Sequence, residues 1–312
     1  MSAFAVTAQV PLRDGNVIPV IGFGTYLISK DQAKAACSAA LTADYKHIDT
    51  AQGYKNEEEI GKSIKAWVKS GKERPFITTK LWPGMKPGEV NYDATIEACN
   101  SSLTKLGIDK IDLYLIHAPF AGSTGRIEQW KALMQLKESG KCKSIGVSNF
   151  NVKHLQEIEA AGLPLPAVNQ LEVHPLCQQR EIVEYCRGKG ILVIAYSSLA
   201  PLSSWRPGQN SGKAPISTPV EGTTQGNAVP EAATALFRHL SDKYGVSEAQ
   251  LLFRWALQRQ FPILPKSVSP ERIQQNLDLF GFAIDDEDML RLDSLDQQRT
   301  YAWPMGDPCL TP

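Results

Sequence analysis

Short apolar runs recur along the 312-residue chain, each followed by a longer amphipathic stretch. They fall at residues 20–23, 46–49, 76–80, 111–117, 142–147, 167–171, 191–196 and 262–265. Most are continuously apolar instead of alternating, which predicts strands buried on both faces of a parallel sheet. Helix starts lie between them. Ser29 with Gln32 and Ser247 with Gln250 have capping-box spacing, Asn56 with Glu59 is a close variant, and Ser269-Pro270 puts proline at a first helical position. Eight strands alternating with helices predict an α/β fold: one (β/α)8 TIM barrel over residues 1–312. A doubly wound sheet would carry a glycine-rich fingerprint after its first strand. Here Gly22-Phe23-Gly24 runs on into Thr25, Tyr26 and Leu27, and the third glycine is missing.

Two additions to the barrel are expected. Residues 10–12 and 17–19 flank Asp14-Gly15-Asn16, a turn signal for an N-terminal β-hairpin lying across the barrel bottom. Residues 201–228 are rich in Ser, Pro and Gly and follow a strand end, which makes them an extended loop on the C-terminal face, where barrel enzymes carry their chemistry.

Composition narrows the partners. The chain carries 33 basic and 33 acidic side chains, so no net charge favours nucleic acid or an anionic membrane. No window approaches the roughly twenty apolar residues of a membrane span, and residues 1–10 lack the basic start of a secretory signal. The six cysteines are scattered without a C-x-x-C pair, which argues against a disulfide framework or a zinc site. Buried free thiols, a cytoplasmic setting, a monomer and a small-molecule partner are the expectations.

Function is expected where strands end. Those ends offer Asp49 with nearby Tyr54, Lys80, His117, Ser148 with Asn149, Gln170, Tyr196 with Ser197, and Lys266 with Ser267. Singly, each could serve structure alone; together, four ionisable types converge on one rim. A tyrosine is a poor acid near neutrality, and a neighbouring ammonium is expected to lower its pKa. An aspartate would hold that lysine charged, and a histidine can donate a hydrogen bond to a substrate oxygen. Such a group protonates a developing alkoxide as hydride arrives, which is carbonyl reduction. Schiff-base chemistry on Lys80 is the other use of a barrel lysine.

These residues sit in ordered motifs: GFGTY at 22–26, HIDTAQGYKNEEEIG at 47–61, TTKLW at 78–82, DLYLIHAP at 112–119, GVSNF at 146–150, VNQLEVHP at 168–175 and LPKS at 264–267. The chain thereby resembles the aldo-keto reductase family. The resemblance implies Tyr54 as proton donor, Lys80 and Asp49 as its tuning pair, and His117 as the residue orienting the carbonyl. It implies an NADPH (NADP+) cofactor held by Gly24, Thr25, Ser148, Asn149, Gln170, Tyr196, Ser197 and Leu199 on the nicotinamide and pyrophosphate side. Lys266, Ser267, Arg272, Gln275 and Asn276 fall at the adenosine end, where Lys266 and Arg272 suit a 2′-phosphate. Gln275 stands where many members carry an acid. Tyr26, Trp82, Phe120, Trp205 and Trp303 are the implied lining of the substrate pocket. The connection after His117 is short, so one pocket wall is expected to be low. The stretch 205–208 resembles fungal and yeast members that reduce α-dicarbonyl compounds and conjugated polyketones. An aldehyde or ketone is therefore the expected substrate, with α-dicarbonyl, α-keto or sugar-derived aldehydes in view. The alternative is an NADPH-binding regulatory or structural protein, as some relatives are.

Overall fold

The computed structural model describes residues 8–199, 202, 229–303 and 306–312. Strands β1 (Gln9–Pro11) and β2 (Val17–Pro19) pair antiparallel, with Val10 opposite Ile18. Their turn closes through Leu12 N to Asn16 O at 2.8 Å, with Gly15 at φ 85° supplying the left-handed residue that it needs. The hairpin plugs the barrel. Leu12 and Ile18 cluster with Leu113, Leu115, Val168 and Ile194, whose side chains fill the interior.

The barrel sheet runs β3 (Phe23–Gly24), β4 (His47–Asp49), β5 (Phe76–Leu81), β6 (Ile111–Ile116), β7 (Cys142–Ser148), β8 (Val168–Glu172) and β9 (Leu192–Tyr196), all parallel and paired in chain order. Along β6, Leu113 and Leu115 belong to the inner cluster while Tyr114 and Ile116 pack against the helices. That two-sided burial explains the apolar run, which only Asp112 interrupts.

The expected eighth strand at 262–265 is reduced to one bridging residue. Ile263 pairs with both Ile21 and Ala195, through Gly22 N to Ile263 O at 2.9 Å, Ile263 N to Val20 O at 2.9 Å and Ala195 N to Pro262 O at 2.8 Å. Prolines at 262 and 265 have no N–H to extend a ladder, so the seam closes on a single residue. Gly24 belongs to the same seam. A Cβ there would meet Leu264 O at 3.0 Å.

Around the sheet lie α1 (Lys30–Thr42), α2 (Glu57–Lys69), α3 (Tyr92–Leu106), α4 (Gly122–Glu138), α5 (Val152–Ala160), α6 (Arg180–Gly188), α7 (Glu231–Tyr244), α8 (Glu248–Gln258), α9 (Pro270–Gln275) and α10 (Asp286–Asp293). Two helix starts form as expected: Ser247 and Gln250 make a full capping box, and Ser269 caps α9 with Pro270 behind it. Two differ. Ser29 occupies the cap position, but its hydroxyl bonds the Gln32 side chain and leaves the backbone uncapped. Asn56 precedes α2, yet its amide is committed elsewhere: it donates to Thr25 O and Ile28 O and accepts from Thr50 Oγ1. That buried amide ties the loop after β3 to the loop after β4, a stronger demand than one cap. All six cysteines are buried free thiols, and among the described residues no helix is long and apolar enough to cross a membrane.

The plug has a testable weight. Ile18 is fully buried, and Ile18→Val should cost about 0.5–1.5 kcal/mol of stability, read as a lower urea midpoint at unchanged slope.

Candidate active site

Three strand ends and one turn build the site. Asp49 ends β4, Lys80 lies one residue before the end of β5, and His117 directly follows β6, its N–H bonded to Leu81 O at 3.0 Å. Tyr54 stands in a tight 3-10 turn, Gln52–Tyr54, which Lys55 ends in the left-handed region at φ 57°. Leu27, Asn149 and Ser197 also carry positive φ. Each follows a strand on this face, and a non-glycine residue held so costs about 1–3 kcal/mol, the kind of strain that collects at working sites.

Lys80 is fully buried, with three N–H bonds to donate and three acceptors in reach: Asp49 Oδ1 at 2.5 Å, Thr50 O at 2.9 Å and Tyr54 OH at 3.3 Å. Asp49 takes a further bond on Oδ2 from Gln170 Nε2 at 2.9 Å. A buried ion pair loses its hydration, and hydrogen bonds to the remaining lone pairs and protons offset that loss. Burial raises the Asp49 pKa and lowers that of Lys80, each drawn back by the other's charge.

Tyr54 departs from the sequence expectation. Its pKa is raised well above the ordinary tyrosine value, by burial first and then by the charges of Asp49 and Tyr26. Desolvation outweighs the ammonium at 3.3 Å, so the resting side chain is a firmly held phenol. His117 shifts the other way. Burial and the Lys80 charge push it well below its ordinary value, leaving a neutral imidazole, and its Nδ1 is buried without a hydrogen-bond partner among the described residues.

Aromatic rings wall this polar floor. The His117 ring meets Tyr54, Trp82 and Trp303 edge-on, with centroids 5.4, 5.7 and 6.0 Å away. Phe120 bridges Trp82 and Trp303 at 6.4 and 5.8 Å, and Tyr26 leans on Tyr54 at 5.1 Å. The structure thus brings together Tyr26, Trp82, Phe120 and Trp303; Trp205 and most of the 201–228 loop lie outside the described residues. The connection from His117 to α4 is only four residues long, in keeping with the low wall expected from the sequence.

The polar residues beside the floor are bonded to one another. Ser148 Oγ donates to Gln170 O at 2.8 Å; Asn149 Nδ2 donates to His117 O at 2.9 Å and Ser148 Oγ at 3.0 Å. The Tyr196 hydroxyl donates to Asn149 Oδ1 at 2.7 Å. Thr25 gives both its N–H and its hydroxyl to Asp49 O at 3.0 Å, with Gly24 beside it on the seam. Ser197 and Leu199 follow β9, and between them Ser198 Oγ is buried without a partner among the described residues. Beyond the seam, Lys266, Arg272 and Gln275 are exposed while Ser267 and Asn276 are buried.

The sequence model of the Aldo/keto reductase family matches residues 20–297. The chain belongs to the aldo-keto reductase family. Among its relatives, an uncharacterized oxidoreductase of Schizosaccharomyces pombe is 37% identical over 97% of this chain and 98% of its own. A methylglyoxal reductase of Escherichia coli is also 37% identical, over 92% and 93%. A Bombyx mori aldo-keto reductase solved in complex with NADP superposes with a TM-score of 0.81 at 31% identity, covering 96% of each chain. As an aldo-keto reductase the chain is an oxidoreductase, and the aldo-keto reductase barrel is the fold described above.

Several residues of the site carry no motif that spacing can reveal. Gln52 accepts from Trp82 N at 3.0 Å and fixes one wall of the pocket. Arg126 pairs with Glu157 and donates to Pro119 O, steadying the segment that holds Phe120. Glu172 ends β8 one residue beyond the apolar run at 167–171 and is almost wholly buried; a buried charge in a strand asks for partners.

Proposed function

We propose that this chain reduces aldehyde or ketone carbonyls to alcohols with NADPH, Tyr54 delivering the proton. The arrangement that supports the reading is the Lys80 ammonium, pinned by Asp49 and Thr50 O against the Tyr54 hydroxyl with a neutral His117 beside it. The rim suits the cofactor. Among the described residues Ser198 Oγ has no partner, and Lys266 and Arg272 make no side-chain ion pair or hydrogen bond. Ser148, Asn149 and Gln170 would face the carboxamide, Tyr196 the nicotinamide ring, and Gly24, Thr25, Ser197 and Leu199 the neighbouring part of the molecule. Ser267, Gln275 and Asn276 would meet its adenosine end.

When bound, NADPH supplies a hydride to the carbonyl carbon. Tyr54, held as the phenol, gives its proton to the oxygen. Lys80 stabilises the phenolate left behind, and Asp49 keeps that ammonium oriented. His117, being neutral, offers a ring N–H to the same oxygen and cannot compete as a stronger acid. The aromatic wall favours substrates with an apolar body, and the E. coli relative's name keeps α-dicarbonyl compounds among those to be tried.

Two experiments test this. Loss of NADPH absorbance with a panel of aldehydes, ketones and α-dicarbonyls is the expected result; tight NADPH binding without turnover on any of them would leave a binding protein. Lys266→Ala or Arg272→Ala should raise the KM for NADPH about ten- to hundredfold, the loss of one charge-assisted contact, and barely move that for NADH. Equal effects on both cofactors would remove the 2′-phosphate from these side chains.

A further inference from the structure

Glu172 ends β8 almost wholly buried, and among the described residues no lysine or arginine pairs with it. Its partners are backbone amides from far along the chain. Oε1 accepts from Tyr301 N at 2.6 Å and Ala302 N at 3.1 Å, and Oε2 accepts from Ala302 N at 2.9 Å. The His174 ring lies 3.0 Å from Oε1 through Nε2, which must carry the proton because a carboxylate only accepts, and it packs edge-on to Tyr301. Tyr301 and Ala302 are buried by this capture.

The next residue is Trp303. Its indole N–H donates to Tyr196 OH at 2.7 Å, that hydroxyl donates to Asn149 Oδ1, and the Asn149 amide donates to His117 O. The same indole walls the pocket, meeting His117 and Phe120 as Trp82 does. One carboxylate on the barrel therefore fixes where the later segment crosses the site.

We infer that Glu172 is a positioning residue: its carboxylate clamps the backbone at 301–302 and so sets the place of Trp303, selecting for carbonyl compounds large enough to touch that indole. The inference rests on the reductase reading above. A glutamine at 172 presents an NH2 group to amide donors, so the clamp loses an acceptor and gains a clash of donors.

The test compares benzaldehyde with propanal in Glu172→Gln, Trp303→Ala and the double variant. Glu172→Gln should raise the KM for benzaldehyde about tenfold, as expected for a displaced contact residue, with propanal KM and kcat within about threefold. The double variant should be no worse than Trp303→Ala alone, because both changes remove one contact. Equal losses on both aldehydes, or effects that multiply, would overturn the clamp. Should Glu172→Gln fail to fold, Ala302→Pro, which deletes the doubly accepted N–H and leaves the barrel intact, must show the same split. Hydrogen exchange at Tyr301 and Ala302 in the protein alone is the second readout. Faster exchange in Glu172→Gln is expected, and unchanged protection would overturn the assignment. That measurement needs no turnover, so it stands even if the wild type reduces neither aldehyde and the reductase reading fails.

Discussion

Tyr54→Phe should lower kcat for NADPH-linked reduction of an aromatic aldehyde by about 10²–10⁴, the range that a positioned proton donor contributes. The side chain keeps its ring, so the edge contact with His117 and the lean against Tyr26 survive. What disappears is one oxygen, and with it one of the three acceptors of Lys80. Affinity for NADPH, measured by fluorescence titration, should stay within about threefold, since the loss falls on the reacting centre rather than on the cofactor's holders. A variant that keeps near-normal turnover would mean that the proton comes from elsewhere. Because burial holds Tyr54 as a phenol, the wild-type rate should also persist well above neutral pH before the donor is titrated away.

Acidification should weaken the fold through its buried histidines. His47, packed against Gly22 with Nε2 bonded to Thr78 Oγ1 at 2.8 Å, has its pKa pushed down to about 3 by burial and then by the Lys80 charge. His154 is pushed down to about 4 by burial and then by Arg126, against the pull of Thr311 O and Glu157. His117 shifts in the same direction. An unfolded histidine takes a proton near pH 6.5, which these folded ones refuse, so stability rises with pH in this window and falls as pH drops below about 6.5. The loss levels off only below the folded pKa values. From pH 7 to about 4.5, His47 alone should remove about 2–3 kcal/mol, with the other two adding to it. Asp49, whose folded pKa is raised, works the other way and offsets part. Urea unfolding at the two pH values measures the sum, and His47→Gln should reduce the slope by about one proton. An unchanged slope in that variant would show that His47 ionises freely in the fold.

The barrel was legible in the sequence because both faces of its strands are buried, and an apolar run as short as 111–116, interrupted only by Asp112, fits a strand of a covered parallel sheet better than a helix. The seam was not. The prolines at 262 and 265 made a plausible strand boundary, whereas their missing N–H groups leave Ile263 as the one residue able to pair on both sides. The catalytic candidates were readable as polar residues at strand ends, and the structure gathers Asp49, Tyr54, Lys80 and His117 around one ammonium. The direction of the Tyr54 shift escaped because it is set by desolvation, which depends on everything packed around the ring and leaves no mark in local spacing. Helix starts show the same divide. Ser247 caps as its neighbours predict, while Asn56 answers to Thr25, Ile28 and Thr50, contacts that only the folded chain creates. The Asn151–His154 box was invisible for a different reason: a histidine does the work that a glutamate or glutamine usually does, its Nδ1 accepting from Asn151 N at 3.1 Å.

Closure on Ile263 has a consequence for how the molecule is made. The bonds across that seam join residue 195 and, from nearly the opposite end of the barrel's chain, residues 20–24 to residues 262–265. During synthesis the earlier strands emerge with two open edges, and nothing can join them until the last stave leaves the ribosome. Bringing such distant segments together costs loop entropy that only the completed ring repays, so ring closure belongs to the slow, late part of folding. Until then the edge of β9 is a free template for another chain, and a nascent protein halted before residue 262 is the form most exposed to aggregation.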